Sequence, residues 1–125
     1  IDTGWLKVTN FFNGCTHYGP NSNVQVRQCG KFVYIVGAVG NKNELATKQT
    51  SDGIPDVAMF KLPDGIGLPR TNVRFAQQGS GSNRFSVVVD ASTRIVSIGR
   101  YGTTSCINVP ADSWLNVCLT YIVAD

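Results

Sequence analysis

Charge, histidine and long apolar runs are all scarce in this sequence. Asp, Glu, Lys and Arg make up 15% of its 125 residues, and 11 basic against 8 acidic residues leave +3, spread along the chain without a block of one sign. Such a dispersed excess demands no nucleic-acid partner. With one histidine, His17, and no Cys-x-x-Cys, the metal-ligand set is poor, and neither a metal nor another cofactor is expected. No apolar run approaches the roughly 20 residues of a membrane helix. A basic start leading into an apolar stretch, the mark of a signal peptide, is missing too, so no membrane insertion is expected. The chain opens at Ile1, as a processed or excised chain does, and a missing leader then says nothing about the parent protein. No segment keeps a helical period over three turns, and there are no internal repeats.

What is present points to strands. The composition is 42% hydrophobic, with 13 Gly and a dense scatter of Asn, Ser and Thr, which suits one β-rich globular domain over residues 1–125. About eight runs rich in Val, Ile, Phe and Tyr lie between Gly, Asn and Pro punctuation. They begin with Trp5 to Thr9. Val24 to Gln28 alternates and turns at Gly30-Lys31 into an apolar run, Phe32 to Val39. Residues 40 to 55 have no sustained period and read as a surface excursion. Strand-like sequence resumes at Val57 to Lys61, and Asn72 to Ala76 alternates. Phe85, Val87 and Val89 share one face of a strand that turns at Ala91-Ser92-Thr93 into Ile95 to Ile98. The last run, Trp114 to Val123, places Leu115, Val117, Leu119, Tyr121 and Val123 on one side. The pattern predicts an all-β domain, an antiparallel β-sandwich or a small β-barrel.

Four cysteines permit two disulfides in any of three pairings. A domain of this size holds together without staples, so mostly free thiols are expected. Cys29 and Cys118 fall in apolar runs, Cys15 and Cys106 in loop-like sequence.

The residues argue against catalysis. Seven aspartates and Glu44 are scattered, with no pair held on one face at a glycosidase separation. A Ser-His-Asp set would have to recruit His17, and no Gly-x-Ser-x-Gly elbow exists. Cys15 has its nearest base two residues away on a loop, which is poor geometry for proton transfer. An oligonucleotide-binding face built from Arg70, Arg74 and Arg84 with Phe75 and Phe85 is disfavoured, because neighbours such as Arg74 and Phe75 point to opposite faces.

The order of several motifs resembles a head module found at the ends of bacteriophage tail fibres and baseplate receptor-binding proteins. The motifs are Gly4-Trp5-Leu6-Lys7-Val8 leading to Asn13-Gly14, then Tyr18-Gly19-Pro20. The hairpin Val26-Arg27-Gln28-Cys29-Gly30-Lys31-Phe32-Val33-Tyr34-Ile35-Val36-Gly37 follows. Met59-Phe60-Lys61-Leu62-Pro63-Asp64-Gly65 with Pro69, and the closing Trp114-Leu115-Asn116-Val117, complete the likeness over nearly the whole chain. Residues 40 to 55 are longer than the module's pattern, and 101 to 109 follow none of it. The resemblance implies a non-enzymatic head that binds a host cell-wall or cell-surface saccharide. It also implies a homotrimer among other tail or baseplate proteins on a virion, assembled in the host cytoplasm. The other readings are a structural trimerising or capping module, and a free-standing secreted lectin; the last is mildly disfavoured by the lack of any Asn-x-Ser/Thr sequon.

Sugar recognition needs an aromatic face for ring C–H groups and planar polar groups for hydroxyls. Residues of those types at strand ends and loops are His17, Tyr18, Asn83, Arg84, Arg100, Tyr101, Asp112 and Trp114. Plainer roles stand beside these. Trp5 and Trp114 are expected to bury their rings in a core or interface, and His17 to be a hydrogen-bonded loop residue. Arg100 and Tyr101 suit a stacked surface pair, and Asn83 and Arg84 a solvated loop flank. Gln25, Arg27, Thr120 and Ile122 alternate away from their strands' core positions and suit a face toward a neighbouring subunit.

Overall fold

The computed structural model describes residues 1–125. It is all-β, built from three open antiparallel sheets of the kind found in sandwiches, and the barrel expected as an option does not close. The strands are β1 (Leu6–Lys7), β2 (Cys15–His17), β3 (Gln25–Cys29), β4 (Phe32–Val36), β5 (Ala38–Asn41), β6 (Val57–Lys61), β7 (Val73–Gln78), β8 (Arg84–Val89), β9 (Ile95–Gly102), β10 (Trp114–Asn116) and β11 (Leu119–Ile122). Their orders are β1-β3-β4-β11, β10-β5-β2 and β6-β9-β8-β7. One cluster of 23 buried residues, with members from all three sheets, forms the core.

The β3–β4 hairpin forms as its sequence predicts, with Cys29 paired to Phe32 and Gly30 at φ 59 leading the two-residue turn. Beyond it, the apolar run splits at Gly37. β4 belongs to the first sheet and β5 to the second, and the run predicted as one strand over 114 to 123 splits opposite, into β10 and β11. The register nevertheless continues across the break. Ile122 pairs with Phe32 and Leu119 with Ile35; beyond the break Asn116 pairs with Ala38 and Trp114 with Gly40. Val117 N–H donates to the Gly37 carbonyl at 2.9 Å and bridges the bend. Gly37 has φ 117, and a Cβ there would collide with the backbone of Asn23 and Val24. No other residue fits. Because alternation persists through the bend, Leu115, Val117, Leu119 and Tyr121 are all buried, as the sequence predicts, and Val123 packs against them.

Two bulges set the third sheet. At Met59 the β6–β9 register shifts, and Met59 and Phe60 are both buried. Asn10 to Phe12 cover the free edge of β6, with Phe12 N–H donating to Met59 and Lys61 N–H to Asn10. The second bulge lies between β8 and β9, opposite Arg84 to Ser86.

Three expectations are corrected. Residues 40 to 55 are not simply a surface excursion: Asn41, Leu45 and Thr47 are buried. Leu45 and Val109 exchange both backbone hydrogen bonds at 3.0 Å, and Thr47 Oγ1 donates to the Ile107 carbonyl at 2.7 Å. Residues 41 to 48 and 107 to 113 therefore pack on each other. Cys15 lies buried in a strand, while Cys118 is exposed at the bend; all four thiols are unpaired. Burial pushes the Cys15 thiol up to about 11. Trp5 is 46% exposed and lies outside the core, beneath the Arg27 guanidinium at 5.9 Å.

Candidate functional site

The outer face of β10-β5-β2 carries a groove with an exposed aromatic ring. Thr16, Gly40 and Trp114 pair across the three strands and so share that face. Gly40 has no side chain, and the Tyr18 ring lies over it: a Cβ at position 40 would touch Tyr18 Cδ1 at 3.5 Å. Tyr18 is 52% exposed and keeps an open aromatic surface. Around it, Thr16, Lys42, Asp112 and Ser113 line a groove of about 570 Å³, within the range that holds a small ligand. Lys42 and Asp112 are exposed and neither joins an ion pair. Asp112 is presented by a tight turn at φ 61, its N–H donating to the Asn41 carbonyl. Asn41 anchors the groove floor from within. Its Nδ2 donates to the carbonyls of Asn43 and Pro110, and its Oδ1 accepts Ser113 N–H.

Three of the eight candidates, His17, Tyr18 and Asp112, thus meet at one groove. His17 has a structural job there. Its Nδ1 accepts the Val24 N–H at 2.9 Å and its ring meets Phe11 edge-on at 4.9 Å. Burial, with help from the Lys7 charge, pushes its pKa below the ordinary value. Trp114 shares the face but lies outside the groove lining, half-buried, its backbone N–H donating to Ser80 Oγ at 3.2 Å.

A second pair of candidates, Arg84 and Arg100, meets elsewhere, at a pocket of about 170 Å³ closed by Gly102 to Cys106. Arg84 Nη2 donates to the Thr103 carbonyl at 3.2 Å. Arg100 has φ 56, a left-handed conformation that costs a non-glycine residue about 1 to 2 kcal/mol. This bulge explains a correction. Val96 and Ile98 point inward, so strict alternation would bury Arg100 and expose Tyr101. The extra residue inverts the order: Arg100 is exposed, and Tyr101 is 1% exposed with its ring stacked on Phe85 at 6.0 Å. Tyr101 is a core residue, its ring closed off from the surface. Asn83 stays in the β7–β8 turn, its Nδ2 donating to the Ser80 carbonyl at 3.1 Å.

Sequence reading missed Thr16, Lys42 and Ser113, because the groove exists only where β2 and β5 pair, and β2 reads as loop. It also missed a second groove of similar size, about 580 Å³, lined by Gln77, Gln78, Ser82, Arg84, Asn116 and Cys118. There the Gln77 amide pairs with the Cys118 peptide, donating to its carbonyl and accepting its N–H, each at 3.0 Å, and accepts from Asn116 Nδ2 at 3.1 Å. This side chain tethers the bend to β7. No three His, Cys, Asp or Glu side chains gather in one place. Compared with family models, curated proteins and solved structures, the chain finds no match in any of the three.

Proposed function

We propose that this domain is a phage receptor-binding head, carried at a tail-fibre or baseplate tip, that adsorbs to a host surface saccharide without catalysis. The observation that carries the reading is the Tyr18 groove. A pyranose ring has one face of C–H groups and a rim of hydroxyls, and the groove offers an exposed aromatic surface ringed by a hydroxyl, a carboxylate and an ammonium. Such a site is weak alone. Three copies acting together gain roughly 10²- to 10⁴-fold in avidity.

The homotrimer has support of its own in the outer face of β1-β3-β4-β11. Phe32, Tyr34, Val36 and Ile122 are exposed side by side there, with Trp5 beyond, a larger apolar surface than scattered single residues make. Arg27 and Thr120 lie on the same face, as their alternation predicts. Arg27 pairs with Asp2 at 2.6 Å, which leaves Lys7, opposite Gln25 at the β1 edge, as the face's unpaired charge. Unpaired thiols accord with assembly in a reducing cytoplasm.

This apolar face equally favours the second reading, a trimerising or capping module whose fibre binds its receptor elsewhere. The test is binding of the purified domain to host cells, with light scattering and competition by soluble cell-wall saccharide. We expect a trimer whose binding is competed, and Tyr18→Ala to weaken it at least tenfold with the trimer intact. A trimer that ignores cells supports the structural module, and a monomer that binds free sugar tightly supports a lectin outside any fibre.

A further inference from the structure

We infer that the pocket between Arg84, Arg100 and the Gly102–Cys106 loop is a site for a single phosphate group. Two other arginines are neutralised within the chain, Arg27 by Asp2 and Arg74 by Asp56. Arg84 and Arg100 have no carboxylate partner, and no Asp or Glu lines their pocket. The facing loop adds the hydroxyls of Thr103, Thr104 and Ser105. None of the amides of Thr103, Thr104, Ser105 or Cys106 donates to a backbone carbonyl. Two arginines and three hydroxyl residues thus line one small space without a competing anion, and the Arg84 Nη2 that reaches the Thr103 carbonyl holds its guanidinium against the loop, a donor-rich concavity suited to an oxyanion.

Size and donor number select the ligand. At about 170 Å³ the pocket falls below the roughly 300 Å³ at which whole small molecules are enclosed, so it suits one substituent group. A carboxylate has two oxygens and one guanidinium fork satisfies it, whereas a phosphate's oxygens use both arginines and the loop donors together. The left-handed backbone of Arg100, with the bulge that exposes it, puts the residue on the lining of the pocket. Nucleic acid fits less well than an isolated phosphate ester. A strand-tracking surface needs a line of free cations and exposed stacking aromatics, but Arg74 is ion-paired and Phe85 is buried. The inference does not depend on the saccharide reading; if both hold, the pocket reads a phosphate substituent on the bound polymer.

The test is a titration of the isotopically labelled 125-residue chain at low salt, followed by amide chemical shifts. The probes are inorganic phosphate, methyl phosphate, dimethyl phosphate, acetate and a short thymidine oligonucleotide. Phosphate should move the Thr103 to Cys106 amides saturably, and acetate should not. Arg84→Gln and Arg100→Gly should each weaken the response at least tenfold. Glycine accepts the left-handed conformation, so Arg100→Gly should keep or raise the Tm while losing phosphate. Tyr18→Ala should leave the response unchanged, which separates failure here from failure of the saccharide site. Stronger binding of the diester supports a polymer backbone as source, and of the monoester a terminal phosphate. An equal response to acetate, wild-type binding by both arginine variants, or an oligonucleotide that outbinds dimethyl phosphate beyond its phosphate count would overturn the inference.

Discussion

One bent ladder, β4 with β5 against β11 with β10, presents two outer faces of opposite chemistry. Before the bend, Phe32, Tyr34, Val36 and Ile122 make an apolar surface; after it, Gly40, Thr16 and Trp114 lie beside the polar groove of Tyr18, Lys42 and Asp112. Both halves share their register and inner alternation, so Val33, Ile35 and Val39 on one side and Leu115, Val117, Leu119 and Tyr121 on the other are all buried, until Asn41 and Ser113 end the ladder. The outward residues are freed from the core and differ with what each half meets. An antiparallel strand pair can therefore serve two surfaces, provided one residue turns the corner.

That residue gives the largest predicted effect. Gly37→Val places a branched side chain against Asn23 at positive φ, and should destabilise both halves together by about 3 kcal/mol or more, seen as loss of the cooperative denaturation transition. Thr120→Lys combined with Ile122→Lys breaks the comparison on one side only. Both positions are exposed, so the Tm of the domain should hold while light scattering reports dissociation; an oligomer that survives would remove the apolar face from the proposed interface. Gln77→Ala loosens the tether at the bend. Because Cys118 is exposed and water replaces the lost partners, about 1 kcal/mol should go, with the two faces otherwise intact.

The smallest effect concerns pH behind the polar face. Burial, chiefly, lowers the folded His17 pKa below its ordinary 6.5. Between those two values the unfolded chain binds the extra proton, so stability is fully present above about 6.5 and declines as pH falls through the window, levelling off below the folded value. Denaturation midpoints from pH 8 down to 5 should show this drop, reduced in His17→Gln. An undiminished drop in that variant would assign the dependence to other groups.

Much of the fold is legible in the residues. The Gly30-Lys31 turn, the inward sets of β8 and β11, and the outward positions of Arg27 and Thr120 follow from period-two alternation, which acts locally. Of the candidate residues, His17, Tyr18 and Asp112 meet at one groove and Arg84 and Arg100 at another, while Tyr101, just past the bulge, turns into the core. One extra residue at Arg100 inverts which neighbour faces the core, and no residue type announces that insertion. Cys15 and His17 read as loop because β2 is three residues long and gains its partner only from β5, more than twenty positions away.

The sequence by itself determined the class, the hairpins and the inner face of nearly every strand, because backbone sterics and apolar alternation operate between neighbours. Only the tertiary structure decided where one ladder divides between two sheets, that residues 41 to 48 pack on 107 to 113, and which polar side chains share a groove. Those outcomes depend on contacts between residues far apart in the chain, where close packing and the pairing of buried backbone groups select one arrangement from several that each strand would accept alone.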